Sequence, residues 1–256
     1  MSLPRAVAVV GFKDAGKTRV IEALVGELAR RGLRVGTIKH ATREHLLDTP
    51  GKDTMRHREA GSVASAIMTS DSAAVFLNHP LSLEEAAARL GPVDVVVLEG
   101  FKSLDRVARI IVPRNPGEIG TLANGLEIAI MGLSTEGPSD VVDVPVVSLN
   151  RAEELADIVE AKAFPLLPGL NCGGCGYESC RDLAQAILAG KAEAVQCASY
   201  SVDAVGLKVD GRAVAMNPFV QRVTKKVVLA LVSTLRGVEE PCRVELAFEA
   251  GGREDG

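Results

Sequence analysis

Gly11-Phe12-Lys13-Asp14-Ala15-Gly16-Lys17-Thr18 is the stretch that decides the fold of this chain. It fits the pattern Gly, four residues, Gly-Lys-Thr, a loop whose glycines let backbone N–H groups approach a phosphate. The apolar run at residues 6–10 predicts a buried strand before it, and apolar residues at helical spacing over 20–28 predict a helix after it. A strand, a glycine loop and a helix in this order predict a phosphate-binding site at the helix N-terminus.

This phosphate loop predicts specific roles for its side chains. Lys17 is expected to reach the outer phosphates of a nucleotide, and the Thr18 hydroxyl is expected to complete the shell of a Mg²⁺ ion. An ordinary strand-to-helix turn is the alternative, but the flanking elements favour nucleotide binding. The residues expected to bind the nucleotide are Gly11, Lys13, Asp14, Ala15, Gly16, Lys17 and Thr18.

Composition restricts the classes of protein to which the chain can belong. Its 256 residues, 47% hydrophobic and 24% charged, predict a globular protein with room for a main domain and a smaller attachment. A net charge of −4 and a pI near 5.7 argue against a nucleic-acid binder. Because no apolar run has membrane-spanning length and no secretory signal is visible, we expect a cytoplasmic protein without a membrane segment. The five cysteines then favour thiolate ligands or free thiols over disulfides.

Strand and helix patterns alternate over the first two thirds of the chain. Strands are predicted at 33–39, 63–69, 73–77, 93–98, 107–112, 127–131 and 144–149, and helices at 53–60, 83–90 and 151–163. The run at 93–98 is almost continuously apolar, which is typical of a strand buried on both faces of a parallel sheet. The pattern predicts an α/β fold, with a parallel-type nucleotide-binding sheet flanked by helices.

The remainder of the chain predicts two smaller units. The stretch 164–169 is rich in proline and glycine and indicates a boundary. We therefore predict three units: a nucleotide-binding domain at 1–165, a cysteine segment at 166–200, and a small module at 201–256. The predicted order of elements in this last module is ββαβ. It consists of two strands joined by a turn at Asp210-Gly211, a helix that begins at Asn217-Pro218 and ends at Gly237, and a last strand over 244–248.

Glu99 stands at the carboxyl end of the apolar strand 93–98. Ligands of open α/β sheets bind at such strand ends, and a carboxylate there can hold Mg²⁺ through water or orient an attacking water. A solvent-exposed terminal glutamate is the alternative. The following Gly100 permits close approach of a ligand and favours the functional interpretation.

Lys39 and Asp48 lie in a long polar stretch after the strand 33–39. Residues 39–53 are more than a simple connection needs, and long ordered loops tend to be functional. A solvated loop is the alternative on these residues alone. Both residues are of interest because they lie near the end of the strand next to the phosphate loop.

Further motifs follow the phosphate loop in order. They are Lys39-His40, the stretch 48–54 (Asp-Thr-Pro-Gly-Lys-Asp-Thr), Arg56-His57-Arg58 with Ala60-Gly61, and Glu99-Gly100-Phe101-Lys102. Together they resemble the MobB family of molybdopterin-guanine dinucleotide biosynthesis proteins over about residues 5–160. The resemblance implies a GTP-binding, weakly GTP-hydrolysing adaptor. Its implied partners are the MobA-type guanylyltransferase that attaches GMP to molybdopterin, and molybdopterin or its metal-bound form.

The same resemblance implies roles for individual residues. Lys17, Asp48 and Glu99 would carry the hydrolysis. Thr18, Asp48 and Glu99 would surround Mg²⁺, and Lys39 and Lys102 would line the cleft. The chain departs from the family at 42–44, where Thr-Arg-Glu replaces the additional histidines that members often carry. It also has no Asn-Lys-x-Asp motif to recognise guanine. The expectation that the nucleotide is GTP rather than ATP therefore comes from the resemblance alone.

Cys172, Cys175, Cys180 and Cys197 are separated by two, four and sixteen residues. Structural zinc would be favoured by two Cys-x-x-Cys pairs, but only one is present. The four thiolates, with glycines between the first two, suit a [4Fe–4S] cluster. Zn²⁺ is the alternative. The segment resembles the short four-cysteine iron–sulfur domain of electron-bifurcating and acetyl-CoA-pathway redox proteins.

Three other functions are compatible with these residues. The chain could be an ATP-using metallochaperone or metal-insertion protein. It could be an electron-transfer protein with a nucleotide-gated cluster, which would require an electron-transfer partner. It could be an interaction module without turnover. A homodimer is left open, and the sequence predicts no role for residues 201–256.

Overall fold

The computed structural model describes residues 3–41, 48–132, 142–200, 205–209, 212–214, 216–236, 238 and 244–247. The strands are β1 (Arg5–Val10), β2 (Val35–Lys39), β3 (Ala64–Met68), β4 (Ala73–Leu77), β5 (Val95–Glu99), β6 (Ala108–Ile111), β7 (Glu127–Met131), β8 (Val146–Val147), β9 (Phe164–Pro165), β10 (Leu207–Val209) and β11 (Arg212–Val214). The helices are α1 (Lys17–Arg30), α2 (Asp53–Glu59), α3 (Leu83–Arg89), α4 (Ile119–Leu122), α5 (Ala152–Lys162), α6 (Cys180–Leu188) and α7 (Pro218–Val232).

A parallel sheet forms the centre of the fold, which confirms the predicted α/β class. Its strands lie in the order β2-β5-β1-β6-β7-β8, and all neighbours in this series run parallel. In the register, Glu99 pairs with Val9 on one side and with Lys39 on the other. The carboxyl ends of β1, β2 and β5 therefore meet at one edge of the sheet, where ligands of such folds bind.

The core lies on both faces of this sheet because alternate residues of a strand face opposite sides. Val7 and Val9 of β1 pack on one face with Leu24 of α1 and Leu155 of α5, and all four are fully buried. The other face is covered by α4 and by partly buried residues at α3. Its buried residues are Ala6, Ala8, Val10, Val96, Leu98, Val107, Ile111, Ile119, Leu122 and Ile130.

Two of the predicted strands lie outside the central sheet. β3 and β4 pair antiparallel with each other and form a separate hairpin. Val63, Met68 and Val75 at this hairpin are exposed. The alternation of strands and helices does not show that a hairpin leaves the sheet, because strand partners are chosen by tertiary packing. The predicted strand 144–149 is also shorter than expected, since β8 covers only Val146–Val147.

The cysteine segment packs on the main core rather than beside it. β9 pairs antiparallel with the first residues of β1 and brings the chain to the amino edge of the sheet. From there α6 contributes Cys180, Leu183 and Ala184 to the same buried cluster as α1 and α5. The predicted units 1–165 and 166–200 thus share one hydrophobic core.

α7 begins where the sequence predicts it. Asn217 caps the helix by accepting a hydrogen bond from the Val220 N–H at 3.0 Å, and Pro218 is its first residue. Over 244–247 the described backbone forms no strand, so the predicted last strand is wrong for these residues. The described elements of this module are the strands β10 and β11 and the helix α7. The predicted turn at 210–211, the helix stop at Gly237 and Cys242 lie outside the described residues. Within the described part of the chain, no helix has the length and apolarity needed to span a bilayer.

Candidate functional site

The phosphate loop connects β1 to α1 at the carboxyl edge of the sheet. Two of its residues have left-handed backbone conformations, Asp14 with φ of 61° and Gly16 with φ of 88°. Gly16 is the N-cap of α1, and no side chain caps this helix end. The first N–H groups of α1 are therefore directed at whatever lies in front of the loop, and the helix dipole favours an anion there.

Gly11 allows the loop to pass close to the neighbouring strand. A Cβ built on Gly11 would lie 2.4 Å from the Val112 carbonyl oxygen, which is a backbone atom that cannot move aside as a side chain can. No larger residue fits without displacing the loop. The position thus requires glycine for close approach, as the sequence pattern predicts.

Lys17 is the first residue of α1 and is partly buried within the site. Its Nζ donates a hydrogen bond to the Phe12 carbonyl oxygen at 2.7 Å, which folds the side chain back over the loop. Burial lowers the pKa of Lys17, the nearby Glu99 opposes this shift, and Lys102 and Lys39 add to it. The tertiary fold therefore brings Lys17, Glu99, Lys39 and Lys102 into one electrostatic site.

Glu99 forms an ion pair across two strands. Its Oε1 lies 3.0 Å from Nζ of Lys39, and its side chain is 16% exposed. The chain then turns sharply through Gly100 and Phe101, with φ of 91° and 51°. The Gly100 N–H donates to the Val9 carbonyl oxygen at 3.0 Å. This turn directs residues after β5 towards the phosphate loop.

Phe12 forms an aromatic contact that the sequence analysis did not identify. Nζ of Lys102 lies 4.5 Å from the centre of the Phe12 ring, and the guanidinium carbon of Arg114 lies 5.4 Å from it. Glu118 holds Arg114 through a 2.6 Å bond from Nε. The ring thus places two cations beside the loop. An aromatic residue within the loop was the available signal, but its partners are remote in sequence.

Arg109 is a second residue that the sequence analysis missed. It lies in β6, its side chain is 1% exposed, and it donates to the carbonyl oxygens of Leu122 at 2.7 Å and Lys102 at 3.2 Å. It also donates to the Leu104 carbonyl oxygen. Burial lowers its pKa. Arg109 therefore fixes the backbone from which Lys102 projects. A charged residue inside an apolar strand was the signal.

The other residues predicted for the site lie at different depths. Within the loop, Lys13 and Thr18 are exposed and Ala15 is half-buried. The Asp48 carboxylate contacts two residues of α2. Its Oδ1 accepts from the Thr54 hydroxyl at 3.1 Å, and its Oδ2 lies 3.6 Å from Nη1 of Arg58. These contacts join Asp48 to α2, so its predicted place around Mg²⁺ stays a prediction.

The four cysteines differ in exposure. Cys172 is exposed, Cys175 is half-buried, and Cys180 and Cys197 are buried. Burial raises the pKa of Cys197, and the nearby Cys180 and Cys175 raise it further. Cys175 and Cys180 are therefore close enough to Cys197 to act on its charge. Among the residues that the structure describes, no three His, Cys, Asp or Glu side chains are arranged to hold a metal ion.

Left-handed glycines, a helix cap and a backbone hydrogen bond fix the conformation of the chain around the cysteines. Gly173 and Gly176 have φ of 67° and 88°, conformations that other residues rarely adopt. Ser179 and Asp182 form a capping box at the start of α6. The Cys180 N–H donates to Oδ1 of Asn171 at 2.8 Å. Four thiols on such turns are a donor set that suits an iron–sulfur cluster.

The phosphate loop and the cysteine segment lie at opposite edges of the sheet. Arg181 donates to the Asn124 carbonyl oxygen at 2.7 Å, just before β7 begins. The Leu167 N–H donates to the Arg106 carbonyl oxygen at 3.3 Å, just before β6 begins. Both contacts are at amino ends of strands. The phosphate loop, in contrast, follows the carboxyl end of β1.

Comparisons with protein families match both parts of the chain. The family model described as "MobB: Molybdopterin guanine dinucleotide synthesis protein B" matches residues 6–131. The one described as "FeS: Putative Fe-S cluster" matches residues 167–199. The first match contains the phosphate loop and Glu99, and the second contains all four cysteines discussed above.

Two curated relatives carry related descriptions. The "Putative molybdopterin-guanine dinucleotide biosynthesis adapter protein" of Methanocaldococcus jannaschii is 30% identical over 255 residues, covering 96% of this chain and 97% of the relative. The molybdopterin-guanine dinucleotide biosynthesis adapter protein of Haemophilus influenzae is 29% identical over 159 residues, covering 60% of this chain and 86% of the relative. The first alignment thus extends over both parts of the chain.

A solved structure shares the fold. The crystal structure of Bacillus subtilis MobB superposes with a TM-score of 0.53 at 23% identity, covering 61% of this chain and 96% of that chain. This likeness supports the α/β fold.

Proposed function

The chain belongs to the MobB family of molybdopterin-guanine dinucleotide synthesis proteins, and we propose that it is an adapter that binds GTP with Mg²⁺ at the phosphate loop. The observation that carries the proposal is the placement of three lysines, Lys17, Lys39 and Lys102, with Glu99 around one loop. Three cations near a helix N-terminus form a site for a polyphosphate. The choice of GTP over ATP in this proposal follows from family membership.

Within this proposal the loop binds the phosphates and the lysines neutralise them. Backbone N–H groups of the loop would hold the inner phosphates. Lys17 would leave the Phe12 carbonyl oxygen and move to the outer phosphates, where its full charge is favoured. Lys102 would approach from the opposite wall, positioned by its backbone bond to Arg109.

Mg²⁺ would be held by oxygen ligands at the same edge. The Thr18 hydroxyl is a suitable direct ligand, and the Glu99 carboxylate is a suitable partner through water. Asp48 would join them only if it leaves Thr54 and Arg58. When bound, Mg²⁺ supplies charge neutralisation on the outer phosphates. Glu99 would also orient a water for slow hydrolysis, and Lys17 would stabilise the charge on the transferred group.

The adapter role implies partners. We propose that a MobA-type guanylyltransferase and molybdopterin, or its metal-bound form, bind near the nucleotide edge. Support comes from the family and from the relatives described as adapter proteins of molybdopterin-guanine dinucleotide biosynthesis. The β3–β4 hairpin, which contacts α2, exposes apolar side chains.

For the cysteine segment we propose a [4Fe–4S] cluster bound by Cys172, Cys175, Cys180 and Cys197. The match to an iron–sulfur family over 167–199 supports it, together with a set of four thiols of which Cys175 and Cys180 act electrostatically on Cys197. Zn²⁺ is the competing occupant. When bound, a cluster supplies reversible one-electron chemistry, whereas Zn²⁺ supplies none.

The nucleotide proposal is tested by competition binding of GTP and ATP in the presence of Mg²⁺. We expect GTP to bind more tightly, and Lys17→Ala to weaken binding by about 10- to 100-fold, because a charge-assisted bond contributes roughly 1.5–3 kcal/mol. Lys162→Ala, which changes an exposed lysine at the end of α5, is the matched control. A preference for ATP would instead indicate a metallochaperone or metal-insertion ATPase.

The cluster proposal is tested on anaerobically purified protein. We expect iron and acid-labile sulfide in equal amounts, and an EPR signal after one-electron reduction. Cys197→Ser should lose iron and sulfide. Stoichiometric zinc without sulfide would contradict the proposal. If nucleotide binding changes the reversible one-electron reduction of the cluster, a nucleotide-gated electron-transfer protein would be favoured instead.

A further inference from the structure

A cavity of about 450 Å³ lies at the carboxyl ends of β7 and β8, and we call it the β8 cavity. It is lined by Gly132, which follows β7, and by Ser148, Leu149 and Asn150, which follow β8. Because β1, β6, β7 and β8 run parallel, these strand ends lie at the same edge of the sheet as the phosphate loop. Its volume is within the range of cavities that bind small molecules.

The charges of the nucleotide site show which way a bound nucleotide would extend. Lys39 ends β2, Glu99 ends β5, and Lys102 follows β5, so all three come from the same side of β1 in the strand order. Outer phosphates and Mg²⁺ belong beside these charges, and the nucleoside is therefore directed to the other side, over β6, β7 and β8. β8 lies three strand spacings from β1, or about 14 Å, which a phosphate chain with its nucleoside can span.

The residues of the β8 cavity combine an apolar surface with two polar side chains. Leu149 is half-buried and packs against the main core, so it offers an apolar surface to a flat ring. Gly132 has no side chain to fill the space, and a Cβ built on it would lie 3.3 Å from the Pro113 carbonyl oxygen. Ser148 and Asn150 are exposed and supply the polar groups. An apolar surface with a few fixed polar groups is typical of sites that recognise a small molecule.

Ser148 fixes the orientation of the Asn150 side-chain amide. The Ser148 hydroxyl donates to Oδ1 of Asn150 at 2.8 Å. In the part of the chain that the structure describes, Nδ2 of Asn150 donates to no protein atom. Asn150 does not cap the following helix either, because α5 has no side-chain hydrogen bond at its N-cap, Arg151. The amide therefore has a free donor at the cavity, while its acceptor oxygen is held by Ser148.

We propose that the β8 cavity binds the purine of the nucleotide and that Asn150 selects a 6-oxopurine. This inference rests on the nucleotide binding proposed above. A 6-oxopurine, such as guanine or hypoxanthine, has an acceptor oxygen on C6 that pairs with Nδ2 of Asn150. Adenine has an amino group at this position, so two donors would face each other and both would lose their hydrogen bonds with water. Ser148 and Asn150 thus distinguish GTP from ATP without using the 2-amino group of guanine.

The experiment measures the Kd values of GTP, ITP and ATP for the full chain by isothermal titration calorimetry in the presence of Mg²⁺. ITP carries hypoxanthine, which has the 6-oxygen of guanine but not its 2-amino group. The variants are Asn150→Ala, Asn150→Asp and Ser148→Ala, and both positions are exposed, so the core is not disturbed. Ser233→Ala, which removes an exposed hydroxyl after the end of α7, is the matched control.

We expect the wild type to bind ITP as tightly as GTP, and ATP about 10-fold more weakly, which is the effect of one hydrogen bond lost. Asn150→Ala should bring the ratio of GTP to ATP affinity towards one. Asn150→Asp should reverse the ratio, since a carboxylate accepts from the amino group of adenine and repels the oxygen of guanine. Ser148→Ala should raise ATP affinity, because the released amide can turn its oxygen towards that amino group. Ser233→Ala should match the wild type.

Other outcomes would overturn the inference. If the ratio of GTP to ATP affinity stays the same in Asn150→Asp and Ser148→Ala, the purine is not selected here, while GTP binding that depends on Lys17 would leave the nucleotide proposal intact. Much weaker binding of ITP than of GTP would show that the 2-amino group is recognised instead of the 6-oxygen. A wild-type preference for ATP would contradict the role of Asn150 directly. If the wild type binds no nucleotide at all, the nucleotide proposal is wrong and the inference falls with it.

Discussion

Nζ of Lys39 lies 3.0 Å from Oε1 of Glu99, and the two residues are paired in register on neighbouring parallel strands. Lys39 is 56% exposed and Glu99 only 16%. Glu99 also acts on Lys17, whose pKa it raises against the effect of burial. One partly buried carboxylate is therefore shared by the lysine of the phosphate loop and the lysine that ends the second strand.

Glu99→Gln keeps the size of the side chain and removes its charge. We expect GTP affinity in the presence of Mg²⁺ to fall by about 10- to 100-fold, the range seen when an outer-shell partner of a metal is lost. GTP affinity in EDTA should not fall, since removing an anion does not weaken phosphate binding. Titration with a fluorescent GTP analogue measures both. Lys39→Met breaks the same ion pair from the other side and should show no Mg²⁺-specific loss. An equal loss for Glu99→Gln with and without Mg²⁺ would exclude a metal role.

Gly11→Ala tests the close approach of the phosphate loop to β6. The added Cβ would lie 2.4 Å from the Val112 carbonyl oxygen, so the loop must shift and nucleotide binding should be lost. The free energy of unfolding should fall by about 1–3 kcal/mol, as overpacking typically costs. Gly26→Ala is the control, since its Cβ meets nothing within 4 Å in α1. Replacing this helical glycine should stabilise the protein by about 0.5–1 kcal/mol. Thermal melts and GTP titration measure the effects.

Arg109→Met tests the support beneath Lys102. The change leaves the carbonyl oxygens of Lys102 and Leu122 without the donor that Arg109 supplies, while the Leu104 carbonyl oxygen keeps a 3.3 Å bond from Nδ2 of Asn124. We expect a loss of about 3 kcal/mol in the free energy of unfolding. GTP affinity should fall as well, because Lys102 loses its fixed position. Arg109→Lys keeps the positive charge but loses the planar guanidinium that donates to several oxygens at once. It should therefore restore little of the stability and little of the GTP affinity.

A double-mutant cycle separates the two effects of Arg109. In a Lys102→Ala background, Arg109→Met should still lower stability but should change GTP affinity little further. Additive losses of affinity would show that Arg109 acts on the site by another route. Denaturant unfolding and nucleotide titration of the four proteins provide the comparison.

Glu27→Gln tests an ion-pair network that joins α1 to α5. Glu27 is buried and binds Arg30 and Arg31, which lowers its pKa from 4.5 to about 2. Because the folded-state pKa is the lower one, Glu27 stabilises the fold above pH 4.5, and this contribution is lost as the pH falls towards 2. Thermal melts between these values should show a steeper loss of stability for the wild type than for Glu27→Gln. Parallel curves would contradict the pKa shift.

Local patterns were sufficient for the phosphate loop and its flanking elements. Gly11, Gly16 and Lys17 lie where the pattern predicts because a strand, a tight turn and a helix depend on neighbouring residues. The predicted helix at 83–90 is formed as α3 for the same reason, with a capping box of Ser82 and Glu85 at its start. The parallel strand β5, with Glu99 at its end, followed from a short apolar run.

Residues that act through distant contacts could not be predicted in this way. Arg109 reaches three carbonyl oxygens up to 13 positions away, and Phe12 meets Lys102 and Arg114 only in the folded chain. The β3–β4 hairpin left the sheet for a similar reason, since strand partners depend on the packing of the whole domain. The neighbours of Asp48 are likewise set by α2 and not by its place after β2.

The sequence by itself determined the α/β class, the strand-loop-helix of the phosphate loop and the place of Glu99 at the end of a buried strand, and it predicted the four cysteines as a ligand set. All of these depend on residue types at short spacing. Only the tertiary structure decided which contacts hold that site together, among them the Lys39–Glu99 ion pair and the Lys102–Phe12 contact, and that the cysteine segment lies at the opposite edge of the sheet. β9 decides the second point, because pairing Phe164 with Ala6 places the following chain at the amino end of β1, a full strand length from the phosphate loop.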